Sequence, residues 1–277
     1  MSLITFTSSF GSGGEMIAQK VAEELDIDFF DDHRLHERVL SMGISSADLE
    51  GLDERAPRLF DRLFTNKPAI YLDVLGSVVY DIASQGEGVL VGHGAQVFLE
   101  DFHCALHVMI HASAEARNKW IRKDQNLGED AALQLVHKMD KRLHDFVRYA
   151  FERDWQDSSG YDIVINLEKV GVDWATKLII DLARSDEIKE CSMKAIEEME
   201  LSSLKRKVDA AVIKSHLSST YTGINVDVTG GGNIYLRGWI SDKNDLDRLI
   251  SVIKEVPGVS EVKSEAVIMA PTGFWGA

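Results

Sequence analysis

A glycine-rich segment near the amino terminus constrains the fold of this chain more than any other part of the sequence. The apolar run at residues 3–7 predicts a strand, and from residue 15 onward apolar residues recur at helical spacing. A glycine-rich turn between a strand and a helix aims several backbone N–H groups at one point, where the helix dipole adds positive potential. The sequence therefore predicts a phosphate-binding turn built from Gly11, Ser12, Gly13, Gly14, Glu15 and Met16.

The segment departs from the usual phosphate-loop pattern G-x-x-x-x-G-K-[ST]. If Gly14 is the second glycine, the first falls on Ser9, the lysine on Glu15 and the hydroxyl residue on Met16. At about 4 Å and an effective dielectric constant of ~20, this charge reversal turns an attraction of roughly 4 kcal/mol between the side chain and a phosphate into a repulsion of the same size. The turn alone thus favours a phosphate site more than it favours catalysis, and a tight turn with no ligand is the alternative.

Composition excludes several classes of protein. The chain has 277 residues, 45% of them hydrophobic, which is enough for one large domain and a small one. Its net charge of −15 repels phosphate in general and argues against nucleic acid as a partner. The two cysteines are typical of a reducing cytoplasm and form no metal-binding pattern. We find no signal sequence and no apolar run long enough to span a membrane, so we expect a cytoplasmic protein.

Predicted strands and helices alternate through the first two thirds of the chain. Strands at residues 27–32, 88–92, 105–110 and 161–166 are separated by helical segments, which predicts an α/β fold with a parallel sheet flanked by helices. Ligands in such folds bind at the carboxyl ends of the strands. Asp31 and Asp32 lie at such an end, with Arg34 close behind them, and are candidates for acceptor binding.

Basic residues are concentrated in two successive predicted helices of this acidic chain. The helix at 114–125 carries Arg117, Lys119, Arg122 and Lys123, and the helix at 129–151 carries Lys138, Lys141, Arg142 and Arg148. One interpretation is a lid that closes over a polyphosphate. The other is an ordinary solvated helix face, partly neutralised by Asp140 and Asp145.

The last third of the chain predicts a separate small unit. Residues 186–203 form a charged helical connector. Residues 204–269 follow with a helix, a hairpin that turns at 230–233, a second helix that ends at Pro257, and a final strand. Residues 270–277 form a tail without such a pattern.

The motifs in residues 1–185 resemble those of the cytidylate kinase-like family. The matching segments are residues 10–14, 29–31, 91–95, 140–142, 154–155 and 161–166, in the family's order. The resemblance implies a nucleoside-monophosphate-kinase fold with a phosphate loop for ATP and Mg²⁺, a monophosphate-binding helical segment and a basic lid. Two positions differ, because the family usually has a basic residue at or beside Glu15 and often an arginine at His93. Both differences remove positive charge.

Residues 204–269 resemble the BON domain. The order of elements, the pair Arg237-Gly238 and the segment at 256–259 carry this resemblance. It implies a binding module without chemistry of its own, whose partner is a protein or a lipid surface.

Three functions are consistent with these features. The first is an active kinase that transfers the γ-phosphoryl group of ATP to CMP or a similar monophosphate, with the protein supplying positioning and charge. The second is a nucleotide-binding regulator that has lost activity, and the third is a scaffold. For the kinase, the candidate catalytic residues are Arg142, Arg148 and Arg122. The candidate substrate-binding residues are Asp31, Asp32, Arg34, His93, Arg117 and Lys138. The sequence identifies no metal ligand, although Glu15 is a candidate.

Overall fold

Two units make up the structure, a computed structural model that describes residues 2–42, 67–92, 94–186, 188, 190–215 and 223–268. The first contains five parallel strands in the order β2-β3-β1-β4-β5. The predicted α/β fold is therefore confirmed. The elements of this unit are β1 (Leu3–Ser8), α1 (Gly14–Leu25), β2 (Phe29–Phe30), α2 (Asp32–Ser41), α3 (Lys67–Ala83), β3 (Gly88–Val91), α4 (Ala95–Phe98), β4 (Ala105–His111), α5 (Ala114–Gln125), α6 (Glu129–Phe151), β5 (Ile163–Asn166), α7 (Leu167–Val170) and α8 (Val172–Ala183).

The sheet is buried on both faces because apolar side chains alternate between two cores. Leu3 and Leu90 point into one core, with α2, α3 and α4. Ile4, Val89 and Leu106 point into the other, with α1 and α8. Continuous apolar runs such as Gly88–Val91 are the pattern expected of strands covered by helices on both sides.

The second unit is a small sheet covered on one face by helices. It comprises α9 (Met193–Lys214), β6 (Ile224–Thr229), β7 (Asn233–Ile240), α10 (Lys243–Lys254), β8 (Glu261–Ser264) and β9 (Val267–Ile268). Strands β6 and β7 form the predicted hairpin, and β8 and β9 both pair with β7 in parallel. The helices pack on this sheet through a core of their own.

Helix α9 belongs to both units. Met199 and Ala210 lie in a core of the first unit, whereas Val208 and Val212 lie in the core of the second. On the α3 side, Arg206 Nη1 lies 2.6 Å from Asp73 Oδ1 and Lys207 Nζ lies 2.7 Å from Asp81 Oδ2. The connector predicted at 186–203 and the unit predicted to start at 204 therefore meet within one continuous helix.

The two cysteines are joined. A disulfide links Cys104, just before β4, to Cys191, just before α9. The presence of only two cysteines led us to expect reduced thiols. The number of cysteines does not determine whether two of them lie close enough to form a disulfide. No helix in the described part of the chain is both long and apolar enough to cross a bilayer.

Candidate functional site

The glycine-rich turn connects the end of β1 to the start of α1. The N–H of Ser9 donates to the carbonyl of Ile110 at 3.1 Å, which fixes the turn against β4, and the N–H of Ser12 donates back to Ser9 at 3.0 Å. Gly13 has φ of 87° and caps α1 in the left-handed region, which glycine adopts without strain. A Cβ on Gly14 would overlap Ser8 and lie 3.1 Å from the Cβ of Ile110. Glycine thus lets the start of the helix approach the strand ends closely.

This turn has features of an anion site. The first N–H groups of a helix have no acceptor within it, and the dipole makes this end positive. The hydroxyl oxygen of Ser12 is buried and has no hydrogen-bond partner among the described residues. A buried hydroxyl without a partner is costly unless a ligand or water satisfies it. Glu15 and Met16, in the first turn of α1, are both exposed.

Arg117 lies inside the protein, where it joins three elements. Its side chain is only 7% exposed. Its Nε donates to the carbonyl of Ala112 at 3.0 Å, and its Nη1 donates to the carbonyl of Phe10 at 3.1 Å. Its Nη1 and Nη2 also donate to the two carboxylate oxygens of Asp140 at 2.8 and 2.7 Å. Arg117 therefore ties the glycine-rich turn and the end of β4 to helix α6. The acceptor contact predicted for this residue stays a prediction.

The other basic candidates lie along α5 and α6. Arg122 pairs with Glu129 at 3.1 Å on the surface. Lys138 and Arg148 are exposed, and neither forms an ion pair with a carboxylate in the described ranges. Arg142 is half-buried, with its Nη1 3.6 Å from the sulfur of Met139. The cations most accessible to a ligand are thus on α6.

The predicted acceptor residues surround the start of α2. Asp31 caps this helix, accepting a hydrogen bond from the N–H of Arg34 at 2.9 Å. The guanidinium of Arg34 contacts the carbonyl of Phe29 and lies 5.5 Å from the ring centre of Phe30. Asp32 is half-buried in the first turn of α2. The structure therefore groups these three residues at one end of β2. His93 lies outside the described residues.

A buried polar cluster near the carboxyl end of β3 was not predicted as part of the site. Gln96 is 6% exposed. Its Nε2 donates to the hydroxyl of Tyr161 at 3.4 Å, while its Oε1 has no partner among the described residues. The Tyr161 hydroxyl donates to the carbonyl of Trp155 at 2.7 Å. Burial raises the pKa of Tyr161, so the phenol stays protonated and able to donate. In the sequence, Trp155 and Tyr161 contribute only to the family resemblance. The available signal for Gln96 is a polar side chain five residues after the end of β3.

The arrangement can bind a polyanion, but its protein groups do not form a cation site alone. The turn contains the first N–H groups of α1 and the buried Ser12 hydroxyl, and α6 carries several basic side chains. Over the residues that the structure describes, no three His, Cys, Asp or Glu side chains are grouped to hold a metal ion. Mg²⁺ at nucleotide sites is held mainly by substrate phosphates and one or two carboxylates. A nucleotide site of this kind therefore does not need a complete set of protein ligands for Mg²⁺.

Comparison with known proteins assigns both units. Residues 3–169 match the cytidylate kinase-like family, and residues 201–270 match the BON domain. Both resemblances drawn from the motifs are thereby confirmed. No curated protein is detectably similar to the chain in sequence.

Solved structures resemble the first unit. An uncharacterized protein from Eubacterium ventriosum is 26% identical with a TM-score of 0.53, over 66% of this chain and 97% of that one. A shikimate kinase from Bacteroides thetaiotaomicron is 14% identical with a TM-score of 0.40, and the match covers 66% of this chain and 99% of the shikimate kinase. A gluconokinase from Sinorhizobium meliloti is 15% identical with a TM-score of 0.39, and the match covers 66% of this chain and 89% of the gluconokinase.

Proposed function

Because the chain belongs to the cytidylate kinase-like family, we propose that it binds ATP at the glycine-rich turn and transfers the γ-phosphoryl group to a nucleoside monophosphate such as CMP. The observation that carries the proposal is the turn itself. It contains a helix N-terminus, a glycine with no room for a side chain and the buried hydroxyl of Ser12, which has no hydrogen-bond partner among the described residues. In this proposal the turn is a degenerate phosphate loop, since Glu15 replaces the usual cation.

Phosphoryl transfer depends on positioning and on neutralising charge. We assign the neutralisation to helix α6, with Arg142 and Arg148 acting on the transferred group and Lys138 on substrate phosphates. Arg122 is a further candidate on α5. Arg117 is proposed to work indirectly, because its contacts hold the backbone of Phe10 and the carboxylate of Asp140 in one arrangement.

The acceptor is proposed to bind between the start of α2 and the carboxyl end of β3. Asp31, Asp32 and Arg34 are grouped on one side. His93 follows β3 in sequence, and Gln96 lies at the start of α4. Gln96 has an unsatisfied acceptor atom that suits an N–H donor such as a base amino group.

The residues at the turn are compatible with Mg²⁺, which would neutralise phosphate charge when bound. Glu15 is the exposed carboxylate beside the turn and is our candidate for holding it, directly or through water. The residues of the turn would orient the phosphates through their N–H groups.

A regulator that binds nucleotide without turnover is the second candidate. Glu15 favours it, because a carboxylate at the phosphate loop opposes the charge of a triphosphate. The BON domain would then report the bound state to a protein or lipid partner. For either function we propose a cytoplasmic location.

Purified full-length protein decides between these functions. We expect ATP binding by calorimetry, and phosphoryl transfer from ATP with Mg²⁺ to one member of a panel of nucleoside monophosphates. Binding without transfer to any monophosphate would instead support the regulator. Absence of both would refute the proposal and leave the scaffold.

A further inference from the structure

Among the described residues, the start of helix α9 is held on the first unit by apolar packing rather than by ion pairs. Its later turns carry the ion pairs of Arg206 and Lys207 with α3. Its first two turns carry an exposed pair within the helix, between Lys194 and Glu198 at 3.4 Å. Within the described ranges, these turns contact the first unit through apolar side chains, with Ala195 and Met199 at its core and Ile196 beside Gly86.

The disulfide lies at this end of α9. Cys191 comes directly before Ser192, whose side chain caps α9 by accepting from the N–H of Ala195 at 3.1 Å. Its partner Cys104 comes directly before β4, the fourth of the five strands in the parallel sheet. The bond therefore attaches the beginning of the helix to the sheet, at the end of β4 opposite the glycine-rich turn, whose Ser9 bonds to Ile110.

The two cysteines differ in burial. Cys104 is 8% exposed, whereas Cys191 is half-buried and lies at the edge of the core. Thiol–disulfide exchange requires an attacking thiolate to reach a sulfur atom. We therefore expect a small thiol to attack the sulfur of Cys191, the less buried of the two residues.

We propose that Cys104 and Cys191 form a reversible redox clamp on the start of α9, closed by a small-molecule disulfide and opened by a small-molecule thiol. In closing, the Cys191 thiolate attacks the small disulfide, which forms a mixed disulfide and releases one thiolate. The Cys104 thiolate then attacks the Cys191 sulfur and releases the second. Two protein thiols lose two electrons, the small disulfide gains them, and the two thiol protons end on the released small thiolates. Opening reverses these steps.

The consequence of opening is local. The ion pairs of Arg206 and Lys207 remain, so the later turns stay docked. The first two turns lose their covalent attachment and keep the apolar packing of Ala195, Ile196 and Met199. The redox state of the two cysteines thus sets how firmly the first two turns of α9 are held on the first unit. This effect does not depend on nucleotide binding.

Hydrogen exchange of the full-length protein tests the clamp. Thiol titration in denaturant should find no free thiol after treatment with oxidised glutathione, and two after dithiothreitol followed by its removal. Reduction should speed amide exchange at 193–199 by about tenfold or more, with little change at 203–210 or in α10. The change should reverse on reoxidation.

Variants provide the control. Cys104→Ser and Cys191→Ser should each exchange at 193–199 like the reduced parent, and neither should respond to dithiothreitol. Two free thiols that persist in oxidised glutathione would overturn the proposal. Equal exchange at 193–199 in the oxidised and reduced parent would overturn it as well, and this comparison needs no variant that has to fold.

Discussion

The guanidinium of Arg117 and the carboxylate of Asp140 form a two-pronged ion pair, with Nη–Oδ distances of 2.8 and 2.7 Å. The pair joins α5 to α6, and Nη1 of the same guanidinium also reaches the carbonyl of Phe10 in the glycine-rich turn. One buried arginine thus links the basic helix to the turn, beside the apolar packing of Phe10 against Ala132 and Val136. Both residues belong to segments that the sequence assigned to substrate or lid.

Breaking this pair should destabilise the fold. Asp140→Ala leaves the buried cation of Arg117 without its counter-charge, and we expect a loss of about 3 kcal/mol in the free energy of unfolding. The double variant Arg117→Met with Asp140→Ala should lose less than the sum of the single variants, because no buried charge remains. Urea denaturation of all three measures this coupling. Lys141→Ala, which breaks the surface pair with Asp145, is the control and should cost under about 1 kcal/mol. Strict additivity would mean that the two residues do not act as a pair.

Charge reversal at Glu15 should improve nucleotide binding. Glu15→Lys replaces an exposed carboxylate beside the turn with an ammonium, and we expect ATP to bind about 10- to 100-fold more tightly. Calorimetry measures the effect. Glu24→Lys makes the same charge change near the other end of α1 and should change ATP affinity by less than about threefold, since exposed charges that far apart are screened. Weaker ATP binding by Glu15→Lys would show that the carboxylate has a positive role, in metal binding for example.

Arg142 should matter for the chemical step. A guanidinium can hold phosphate oxygens through two parallel bonds, which lysine cannot reproduce. If the parent is a kinase, Arg142→Ala should lower kcat/KM by about 10²-fold, mostly through kcat, and Arg142→Lys should restore part of it. Lys141→Ala, one residue away and exposed, is the matched control in the same assay. Parent-like kinetics in both Arg142 variants would remove this residue from the lid. If the parent has no activity, the same variants are compared by nucleotide titration.

Removing Arg206 should destabilise the protein in a pH-dependent way. Burial raises the pKa of Asp73, and the hydrogen bond and charge of Arg206 oppose that rise. In Arg206→Ala the carboxylate loses this support, so its pKa should rise further above the unfolded value. Protonation then relieves the cost of the buried charge. We therefore expect the largest loss of stability at neutral pH and a smaller one as pH falls through the raised folded pKa toward 3.8, the ordinary value for aspartate.

Urea titrations of parent and variant at several pH values between neutral and acidic measure this change. Lys194→Ala, on the exposed side of the same helix, should show no such trend. A loss that is the same at every pH would assign the effect to lost packing of Arg206 against Phe98, 5.7 Å from its ring centre.

Truncation should show that α9 is part of the first unit. A chain ending at residue 192 exposes the α3 surface that Met199 and Lys207 cover, so we expect lower solubility and a broad thermal transition. A chain ending at 215 keeps the helix and should unfold cooperatively. Calorimetry compares the two fragments. A cooperative transition in the shorter fragment, at the temperature of the longer one, would show that α9 is dispensable to the first unit.

Local patterns predicted most of the fold. The buried strands read as short apolar runs, the hairpin as two alternating segments around Gly230–Gly232, and the basic helices as amphipathic periods. These features depend on residues that are close together in the chain, so they can be predicted from a single sequence.

The features that the sequence did not predict depend on distant pairs. Arg117 was grouped with exposed cations, because nothing within its helix shows that Asp140 faces it. Cys104 and Cys191 are separated by 87 positions, and their number alone suggested free thiols. The sequence predicted a connector at 186–203 and placed the following residues in the small unit, because the inward-facing positions 203, 206 and 207 are Ser, Arg and Lys rather than apolar residues.

Because α9 packs into the cores of both units, no position within this helix is a boundary at which one unit could be replaced without disturbing the other. Lys207 and Ala210, which face the kinase-like unit, alternate with Val208 and Val212, which face the BON unit. One inserted residue would turn everything after it by about 100°, so either face would lose its angular register. A recombinant that borrows this BON domain, in evolution or by design, must take the whole of α9 and with it a surface shaped for one particular kinase-like neighbour.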